Sequence, residues 1–364
     1  MSRDDTFLKI CFLITNLAGG GAEKATVKAA ELFCRYGHSV HLVLLENIIN
    51  FKFNHKIKLK IISEKINKGL FGKLLMAYKL NRTFYEAESK EGKFDLVVST
   101  LPFCDEIVSF AKIPYVHFRI ANTPSAEIKI LRKTSPIKAK RRLNRYKAIY
   151  NNQNIIAVSQ GIKDDLINKI KIRSKISVIY NPFNFGHIKK LSSKPIPKNI
   201  KKPYLIHVGR FAAQKRHDLL LDAWKLLNLN MNLLLITNSP IDLKKIITEK
   251  GLTDSVKVIG FQENLYPYIY QSEMLILSSD REGLPNVLVE ALICGTRVVS
   301  TDCPSGPREI LTGTLKKFLV PLGNAQMLAK KIERSIELPK PKEIDLQKFS
   351  EVNFLKKYLA LAKR

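Results

Sequence analysis

The chain has 364 residues, 45% of them hydrophobic, and carries 61 lysines and arginines against 32 acidic residues, a formal net charge of +29. The length suggests two domains of roughly 150–200 residues each, and the apolar content excludes a generally disordered chain. So large a positive charge points to a negatively charged partner: nucleic acid, an anionic membrane or a phosphorylated substrate.

The five cysteines form no Cys-x-x-Cys pair and lie in or beside apolar runs, which favours free thiols in a reducing compartment. The first apolar run, FLKICFLIT at residues 7–15, is short, contains a lysine and leads into a glycine turn. We therefore expect a strand there and not a signal peptide. No run approaches about 18 apolar residues, so we expect no membrane-spanning helix.

The first half of the chain alternates strands and helices. A strand at Lys9–Thr15 precedes a glycine turn and a helical pattern from Ala22 to Cys34, and later apolar runs are HSVHLVLL, FDLVVST, IPYVHF and NIIAVSQ. Such nearly continuous apolar runs are typical of parallel strands with helices on both faces. Four prolines and many lysines between Pro182 and Pro203 predict a linker.

The second half repeats the alternation, with strands at YLIHVG, NLLLIT, SVKVIG, EMLILSS, RVVST and KFLVPL. Two such series predict an α/β protein with two Rossmann-like, doubly wound domains facing across a cleft. We place the first domain at residues 1–185, the linker at 186–203 and the second domain at 204–344. Residues 345–364 predict an amphipathic helix that packs back across the hinge onto the first domain.

Two glycine-containing turns carry candidate chemistry. In LAGGGAEKA, Gly20 and Gly21 lie between a strand and a helix, where backbone N–H groups can approach a ligand; a tight turn without a ligand is the alternative. In VGRFAAQK, Gly209 ends a strand, and Arg210 and Lys215 follow just before a helix. Two cations at a helix N-terminus suit a diphosphate, and a pair of solvated surface cations is the alternative.

The segment SSDREGLPNVLVEALICG follows another strand and carries two glutamates. Apolar residues such as Leu288 and Ala291 recur at helical spacing, which predicts a helix with one buried face, and Pro285 fits its first turn. Glu290, one turn inside this helix, can accept hydrogen bonds from a ribose diol. Glu282, still in the loop, can reach a sugar ring. As isolated carboxylates, both would more often be solvated.

Together, the order G-G-x-E, V-G-R-x4-K and E-G-x-P-x4-E closing on C-G resembles the retaining GT-B glycosyltransferases of family 4. The resemblance covers nearly the whole chain, and the E-x7-E element is its most specific part. The following TDCPSGPREIL is similar to the branch that builds bacterial lipopolysaccharide cores, capsules and lipid-linked glycans.

The resemblance implies a nucleotide-sugar donor site in which Arg210 and Lys215 bind the diphosphate, Glu282 the sugar hydroxyls and Glu290 the ribose. It also implies that Gly20 and Gly21 approach the transferred sugar and phosphate, and that Gly260–Gln262 lie against the base. The donor-binding residues are then Gly20, Gly21, Gly209, Arg210, Lys215, Gly260, Phe261, Glu282, Gly283, Leu284, Pro285, Asn286, Val287, Leu288 and Glu290.

Many members of this family carry a histidine after the strand that corresponds to IPYVHF, near the reacting sugar. Here His117 lies inside that run and Arg119 and Asn122 just beyond it, so any of the three could take that place. The resemblance adds His117 to Arg210, Lys215 and Glu282 as catalytic candidates and makes Arg119 and Asn122 acceptor-side candidates. A packed strand residue is the alternative role for His117.

We expect no metal and no other cofactor, because the chain contains no Asp-x-Asp sequence of the kind with which metal-dependent transferases hold Mg²⁺ or Mn²⁺. Arg210, Lys215 and a helix dipole would stabilise the leaving UDP or GDP instead.

The segment Lys129–Lys147 has nine basic residues, no acidic one and interleaved apolar residues, and a second lysine-rich block spans Phe51–Lys79. This pattern favours contact with an anionic inner-membrane surface over the alternative, an ordinary solvated surface. No zinc spacing, aromatic RNP motif or helix-turn-helix pattern supports a nucleic-acid partner, so we expect none.

The expected function is therefore a cytoplasmic, peripherally membrane-bound glycosyltransferase. It would move a sugar from a nucleotide-sugar, UDP-sugar first, with retention onto a lipid-linked saccharide such as lipopolysaccharide core or a polyprenyl-linked glycan. The alternatives are a GT-B UDP-sugar epimerase and a non-catalytic sugar-nucleotide or nucleic-acid binding module. The joint presence of Arg210, Lys215, Glu282 and Glu290 argues against a non-catalytic module, because a decayed site should lose some of them.

Overall fold

The computed structural model describes residues 7–341 and 344–362 and divides into two compact units. The first unit comprises Met1–Pro182 with Glu351–Arg364, and the second comprises Phe183–Ser350. The chain therefore leaves the first unit once and returns to it at its C-terminal end. Across the described residues, none of the helices combines the length and the apolarity that a membrane-spanning segment needs.

The described part of the first unit contains a seven-stranded sheet in the order β3-β2-β1-β4-β5-β6-β7, and all its strand pairs are parallel. Its strands are β1 (Lys9–Ile14), β2 (Ser39–Leu44), β3 (Lys58–Ile61), β4 (Leu96–Thr100), β5 (Val116–Ile120), β6 (Asn154–Ala157) and β7 (Lys175–Val178). Its helices before the crossing are α1 (Gly21–Arg35), α2 (Leu70–Glu91), α3 (Pro102–Ala111), α4 (Pro124–Thr134), α5 (Pro136–Tyr150) and α6 (Gln160–Asp164), which a π-helical turn continues to Ile170.

Sequence reasoning missed β3 and β7, the two edge strands of this sheet. In β3, the residues Lys58, Leu59 and Lys60 are all exposed, so the strand lacks the continuous apolar run that identified the five central strands. An edge strand has a neighbour on one side and can tolerate such a composition, and lysines on it discourage pairing with other molecules.

The second unit contains, in its described residues, a six-stranded parallel sheet in the order β10-β9-β8-β11-β12-β13. Its strands are β8 (Tyr204–Val208), β9 (Asn232–Ile236), β10 (Val256–Ile259), β11 (Met274–Leu277), β12 (Arg297–Thr301) and β13 (Leu319–Val320). Its helices are α7 (Phe185–Ser192), α8 (His217–Lys225), α9 (Pro240–Glu249), α10 (Tyr266–Tyr270), α11 (Asn286–Ile293), α12 (Pro307–Ile310) and α13 (Ala325–Ile336). This is the doubly wound strand order 3-2-1-4-5-6, which places a ligand crevice at the carboxyl ends of β8 and β11.

Helix α7 corrects the predicted linker, because it occupies the first part of residues 186–203. The side chain of Asn184 caps this helix by accepting a hydrogen bond from the His187 N–H at 2.8 Å. Ile188 and Ser192 are buried on the second unit. The apolar periodicity of this helix extends over only two turns and is surrounded by prolines and lysines. Such a short pattern is not enough to identify a helix from sequence.

The last helix, α14 (Glu351–Leu359), packs on the first unit, as the sequence predicted. Phe354 and Tyr358 lie in the same buried apolar cluster as Phe33 of α1, with their ring centroids 6.1 and 5.9 Å from that of Phe33. An ion pair between Arg35 and Glu351 fixes the start of the helix beside α1. The predicted helix, residues 345–364, is thus shorter in the structure, and residues 363–364 lie outside the described residues.

A buried carboxyl group lies in the core of the first unit beneath the carboxyl end of β4. Asp105 accepts hydrogen bonds from the Ser99 hydroxyl at 2.5 Å and from the Tyr150 hydroxyl at 2.7 Å. Burial raises the pKa of Asp105 to about 7, against the lowering effect of the two hydroxyl donors. The folded first unit therefore holds a proton on Asp105 at a pH where the unfolded chain would release it.

This difference predicts that stability falls between pH 4 and 7. The folded-state pKa of Asp105, about 7, lies above its ordinary value of 3.8. The folded chain therefore binds the extra proton between these values, and the free energy of unfolding decreases with rising pH, by on the order of 2–4 kcal/mol in total. Asp105→Asn should remove this slope in urea unfolding measured at pH 5 and pH 8. Asp254→Asn, at an exposed position, should keep it, and equal slopes in Asp105→Asn and the parent chain would contradict the assignment.

Candidate functional site

A largely buried ion pair joins two of the predicted site residues at the carboxyl edge of the second sheet. The Nζ atom of Lys215 lies 2.7 Å from Oε1 of Glu282, and the two side chains are 18% and 9% exposed. Lys215 ends the single 3-10 turn that follows β8, and Glu282 follows β11. Since β8 and β11 are neighbours where the strand order reverses, the pair lies where doubly wound sheets bind their ligands.

Backbone and side-chain hydrogen bonds fasten the two loops that carry this pair. The Asp280 N–H donates to the Gln214 carbonyl at 3.0 Å, and the Gln214 side chain donates to the Arg281 carbonyl at 2.7 Å. The Ser278 hydroxyl donates to the Lys215 carbonyl at 2.8 Å. Lys215 and Glu282 are therefore held in position before any ligand binds, which is the condition for electrostatic preorganisation.

Gly209 allows the Lys215 side chain to lie against the end of β8. A Cβ atom at Gly209 would lie 3.3 Å from Cδ of Lys215 and 3.2 Å from Nε2 of His207. A side chain at this position would therefore be tightly packed and would press on the Lys215 stem. The sequence had identified Gly209 as the end of a strand, and the structure shows that the Lys215 stem packs against this glycine.

Two buried imidazoles lie beside Lys215. The rings of His207 on β8 and His217 at the start of α8 have centroids 4.8 Å apart, and Nδ1 of His207 is 2.9 Å from the Ile276 carbonyl oxygen. Burial lowers the pKa of His207 well below its ordinary value. Burial, and secondarily the charge of Lys215, lower the pKa of His217 to about 4. Both rings are therefore neutral at pH 7, and His207 is a core residue.

The two arginines nearest in sequence to Lys215 have different surroundings. Arg216 contacts Asp218 and Asp280, with Nε 3.0 Å from the first carboxylate and Nη1 3.0 Å from the second, and these partners raise its pKa. Arg210 is exposed, and its guanidinium forms no hydrogen bond or ion pair with any described residue. Arg210 is thus the cation that remains available to a ligand, and the structure places no direct contact between it and Lys215.

Glu290 is buried on α11, one turn from the helix start, as predicted. The hydroxyl of Tyr266 at the start of α10 hydrogen-bonds to Glu290, and burial followed by the charge of this carboxylate raises the pKa of Tyr266. Sequence reasoning missed Tyr266, because it comes from a different helix and nothing in YPYIY distinguishes it from a packing residue.

The loop before α11 differs in detail from the prediction. Pro285 precedes α11 as its N-cap, with Asn286 as the first helical residue. The Leu288 N–H donates to the Pro285 carbonyl at 3.0 Å, so the backbone N–H of this predicted donor-binding residue is already used within the turn. Gly283, Leu284 and Pro285 are buried, whereas Asn286 and Val287 are partly exposed.

Gly306 is a site-positioning residue that the sequence did not identify. It has φ +95°, and a Cβ atom there would lie 2.3 Å from Cδ of Pro285 and 3.1 Å from the Gly283 carbonyl oxygen. Any side chain at this position would therefore displace the 283–285 loop. Gly306 lies in the TDCPSGPREIL segment, which the sequence analysis singled out. The sequence alone does not show that this glycine contacts the 283–285 loop.

The predicted base-side residues Gly260 and Phe261 follow β10 at the same carboxyl edge. The Gln262 side chain donates to the Gly260 carbonyl at 3.2 Å and accepts from the Tyr268 hydroxyl at 3.0 Å, which fixes this turn. The Phe261 ring is exposed, so one of its faces can stack on a planar ligand group.

In the first unit, the glycine turn lies at the carboxyl end of β1. Gly20 is the N-cap of α1, and a Cβ atom there would meet the flexible carboxylate of Glu23, whereas one at Gly21 would meet nothing within 4 Å. A side chain at Gly21 would therefore meet open space. The role of Gly20 and Gly21 towards a transferred sugar stays a prediction.

The three candidates in or just after the fifth strand, His117, Arg119 and Asn122, have different positions in the structure. The predicted run ended at Phe118, but β5 is Val116–Ile120, so His117 lies near the strand's beginning. It lines a cavity of about 180 Å³ with Asp95, Asn154 and Lys175, which precede or begin their own strands. His117 thus faces the amino edge of the sheet, opposite the glycine turn. The structure does not bring it to the edge that the family role requires.

Arg119 is buried and donates to the Asn181 side chain at 2.5 Å. It also lies beside Tyr358 of α14, where burial raises the pKa of the Tyr358 hydroxyl and the charge of Arg119 partly offsets that rise, so Arg119 faces the returning helix and not an exposed ligand surface. Asn122 lies two residues beyond β5, exposed at the carboxyl edge. Of the three candidates, Asn122 therefore has the position that the resemblance requires of an acceptor-side residue.

Comparison with known proteins identifies the family to which this fold belongs. Residues 19–186 match the model of Glycosyltransferase Family 4, and residues 189–351 match the model of Glycosyl transferases group 1. The chain belongs to glycosyltransferase family 4. Its fold is that of the GT-B enzymes: HepE from Anabaena, solved in complex with UDP and glucose, superposes with a TM-score of 0.68 at 20% identity over 97% of this chain and 98% of that one.

Two relatives with named functions are similar to this chain over about half of its length. The N-acetylgalactosamine-N,N'-diacetylbacillosaminyl-diphospho-undecaprenol 4-alpha-N-acetylgalactosaminyltransferase of Campylobacter jejuni is 29% identical over 50% of each chain. The lipopolysaccharide 1,6-galactosyltransferase of Escherichia coli is 33% identical over 43% of this chain and 45% of its own. The similarity thus spans about half the length of these relatives.

The contact of Gly306 with the 283–285 loop predicts a specific effect of Gly306→Ala. Both Gly306→Ala and Gly295→Ala place alanine at positive φ, which costs about 1–2 kcal/mol, but a Cβ atom at Gly295 meets nothing within 4 Å. Gly306→Ala should therefore be the more destabilising in thermal unfolding, and it should weaken UDP binding about tenfold in calorimetry because the loop moves. Gly295→Ala should leave UDP affinity unchanged. Equal UDP affinity in both variants would show that Gly306 does not position the site.

Proposed function

We propose that this family 4 chain is a glycosyltransferase that moves a sugar from a nucleotide-sugar, UDP-sugar in the first instance, onto a lipid-linked saccharide. The acceptor would be lipopolysaccharide core or a polyprenyl-linked glycan, the anomeric configuration would be retained and no metal would be needed. The observation that carries the proposal is the Lys215–Glu282 pair, buried at the switch point of the second sheet. The UDP complex of HepE and the lipid-linked or lipopolysaccharide substrates named for the relatives support it.

An incoming diphosphate would meet one cation that is already fixed and one that has no protein partner among the described residues. Lys215 is held by Glu282 at 2.7 Å, and Arg210 is exposed. Lys215 has three N–H donors, so it can bind a phosphate oxygen while it keeps Glu282. Glu282 has a second carboxylate oxygen with which it can accept hydrogen bonds from the donor sugar. One ion pair would thus align the two reacting parts of the donor.

These cations would act mainly on the transition state. When the bond between the sugar and the diphosphate oxygen breaks, negative charge grows on the leaving phosphate. Groups that are fixed before the reaction stabilise that charge without reorganising. Since His207 and His217 are neutral at pH 7, they add no competing charge beside Lys215. With two cations in this role, the leaving group requires no metal ion.

Glu290 would bind the ribose. A carboxylate has two oxygens that accept several hydrogen bonds, so it can keep the Tyr266 hydroxyl and still accept from a diol. Its burial makes each such bond stronger than it would be in water. The exposed ring of Phe261 would lie against the base.

The enzyme would act in the cytoplasm, peripherally at the inner face of the membrane. The segment Lys129–Lys147 forms most of α4 and α5 in the first unit, and most of its basic residues are exposed. Exposed cations near an anionic leaflet are attracted by about 1 kcal/mol each. This attraction would concentrate the enzyme where a lipid-linked acceptor resides.

Glu290→Gln tests nucleotide binding. It keeps the size of the side chain but loses charge-assisted hydrogen bonds, each worth roughly 1.5–3 kcal/mol, so UDP affinity should fall tenfold or more. Calorimetric titration with UDP measures this directly. Glu333→Gln, at an exposed position on α13, is the matched control and should bind UDP normally. Normal UDP affinity in a folded Glu290→Gln variant would exclude the ribose assignment.

Arg210→Ala and Lys215→Ala test the chemical step. Each should lower kcat/KM by roughly 10²–10³, the scale seen when one preorganised donor is removed. The double variant should lose less than the product of the two because both cations serve one diphosphate. Lys316→Ala, another exposed cation of the second unit, should retain activity. Arg210→Ala is the cleaner of the two variants because it leaves no buried carboxylate unpaired.

The same assay separates the proposal from its alternatives. Activity should persist in EDTA, and a loss that Mg²⁺ or Mn²⁺ restores would overturn the metal-free mechanism. Conversion of UDP-sugar to its epimer without acceptor would identify an epimerase. UDP binding without turnover for any lipid-linked acceptor would identify a binding module. Near-normal kcat/KM in both single variants would remove Arg210 and Lys215 from the mechanism.

A further inference from the structure

The N-terminal half of α2 exposes large apolar side chains on one face. Phe71 is 82% exposed and Leu70 is 70% exposed, and Leu74, Leu75 and Tyr78 are also exposed. The opposite face is buried on the first unit through Met76 and other residues, namely Gly72, Ala77, Leu80 and Phe84. These turns of α2 are therefore apolar on both faces, which is unusual for a helix whose outer face meets water.

The surroundings of this face are basic. Between Leu70 and Phe84, α2 has no acidic residue, and Lys65, Lys68 and Lys79 are exposed beside the apolar residues. An apolar surface framed by lysines has the composition of helices that lie in the interface of an anionic membrane, with apolar side chains below the headgroups and cations among them.

An ion-pair network connects α2 to the basic segment on α5. Glu106 on α3 is buried, and its Oε1 lies 2.9 Å from Nζ of Lys73 on α2 and 3.6 Å from Nε of Arg145 on α5. Lys73 is in the same helical turn as Leu70 and Leu74. Glu106 therefore fixes the apolar face of α2 beside the helix that carries Lys138, Lys140 and Arg141.

We propose that the exposed face of α2, formed by Leu70, Phe71, Leu74, Leu75 and Tyr78, inserts into the headgroup region of an anionic lipid bilayer. This inference rests on the proposed action on a lipid-linked acceptor and assigns the contact that the basic segment by itself does not supply. The cations of α5 attract the protein from a distance, and α2 holds it at the surface. The first contribution is screened by salt, whereas burial of apolar area is not.

A bilayer fits this surface better than a second copy of the chain does. Two copies joined through α2 would bring their lysines and the basic segments close together, and like charges at an interface oppose association. The chain as a whole has a net charge of +29, which adds to that repulsion and favours an anionic partner.

The test compares three variants of the full chain in flotation with vesicles of phosphatidylcholine and phosphatidylglycerol. Leu70→Ser with Phe71→Ser should reduce binding about tenfold or more, and the remaining binding should disappear at high salt. Lys138→Ser with Lys140→Ser and Arg141→Ser should reduce binding at low salt most, leaving a fraction that resists salt. Ile241→Ser with Leu226→Ser removes comparably exposed apolar groups from the second unit and should bind like the parent.

A tryptophan probe reports insertion directly. The single native tryptophan, Trp224, is buried in the second unit and provides a constant background. With Phe71→Trp, the added fluorescence should shift to shorter wavelength on vesicles and be quenched by brominated lipid, whereas Ile241→Trp should show neither effect. An unquenched Phe71→Trp signal on bound protein would overturn the proposal.

Two further measurements separate the possible failures. A concentration-dependent dimer in sedimentation that Leu70→Ser with Phe71→Ser dissociates would assign the face to self-association and overturn membrane insertion. The same variant should keep UDP affinity and turnover of a soluble acceptor analogue. If the parent chain inserts but neither binds UDP nor transfers sugar, the proposed function fails and the membrane contact stands.

Discussion

The buried ion pair of Lys215 and Glu282 is the interaction on which the site of the second unit depends. Removing two charges from water costs several kcal/mol for each ion, and the attraction between the two side chains offsets part of that cost. The pair persists because the loops after β8 and β11 are joined by hydrogen bonds and because Gly209 leaves room for the lysine stem. The pair thus holds a cation and a hydrogen-bond acceptor in fixed positions where the strand order of the sheet reverses.

The neighbouring charges divide into those that build the site and those that remain available to a ligand. Arg216 is held by Asp218 and Asp280 and stabilises the loop, whereas Arg210 has no such partner among the described residues. His207 and His217 contribute shape without charge because burial keeps their pKa values low. Glu290 and Tyr266 form a second polar contact, on the α11 side. The proposed function assigns these groups in turn to a sugar, a diphosphate and a ribose.

The first unit shows how a chain that crosses between units completes its own core. Helix α14 supplies Phe354 and Tyr358 to the apolar cluster around Phe33, so the first unit includes the C-terminal end of the chain. Arg119 is buried beside Tyr358 of this helix and donates to Asn181, so it has a structural role in the first unit. The outer face of α2, in contrast, keeps large apolar side chains in water, and a soluble surface would gain from replacing them.

Much of this protein follows from local sequence. Continuous apolar runs identified every central strand, and glycines, cations and carboxylates placed just after those runs had to meet at one sheet edge because the strands are parallel. That is why the sequence could predict that Gly209, Lys215, Glu282 and Glu290 lie near one edge of the second sheet. Family 4 membership follows from the same residues, since they are short motifs in a fixed order.

Tertiary structure decided whatever depends on where a strand ends or on a distant partner. Strand β5 ends two residues later than the apolar run predicted. His117 therefore lies near the amino edge of the sheet, and Asn122 lies at the carboxyl edge. Tyr266 and Gly306 act on Glu290 and Pro285 from other elements, and no local pattern encodes such contacts. Likewise, the apolar residues of α2 have the same periodicity whether they are buried or exposed, and only the packing of the first unit determined which of them face water.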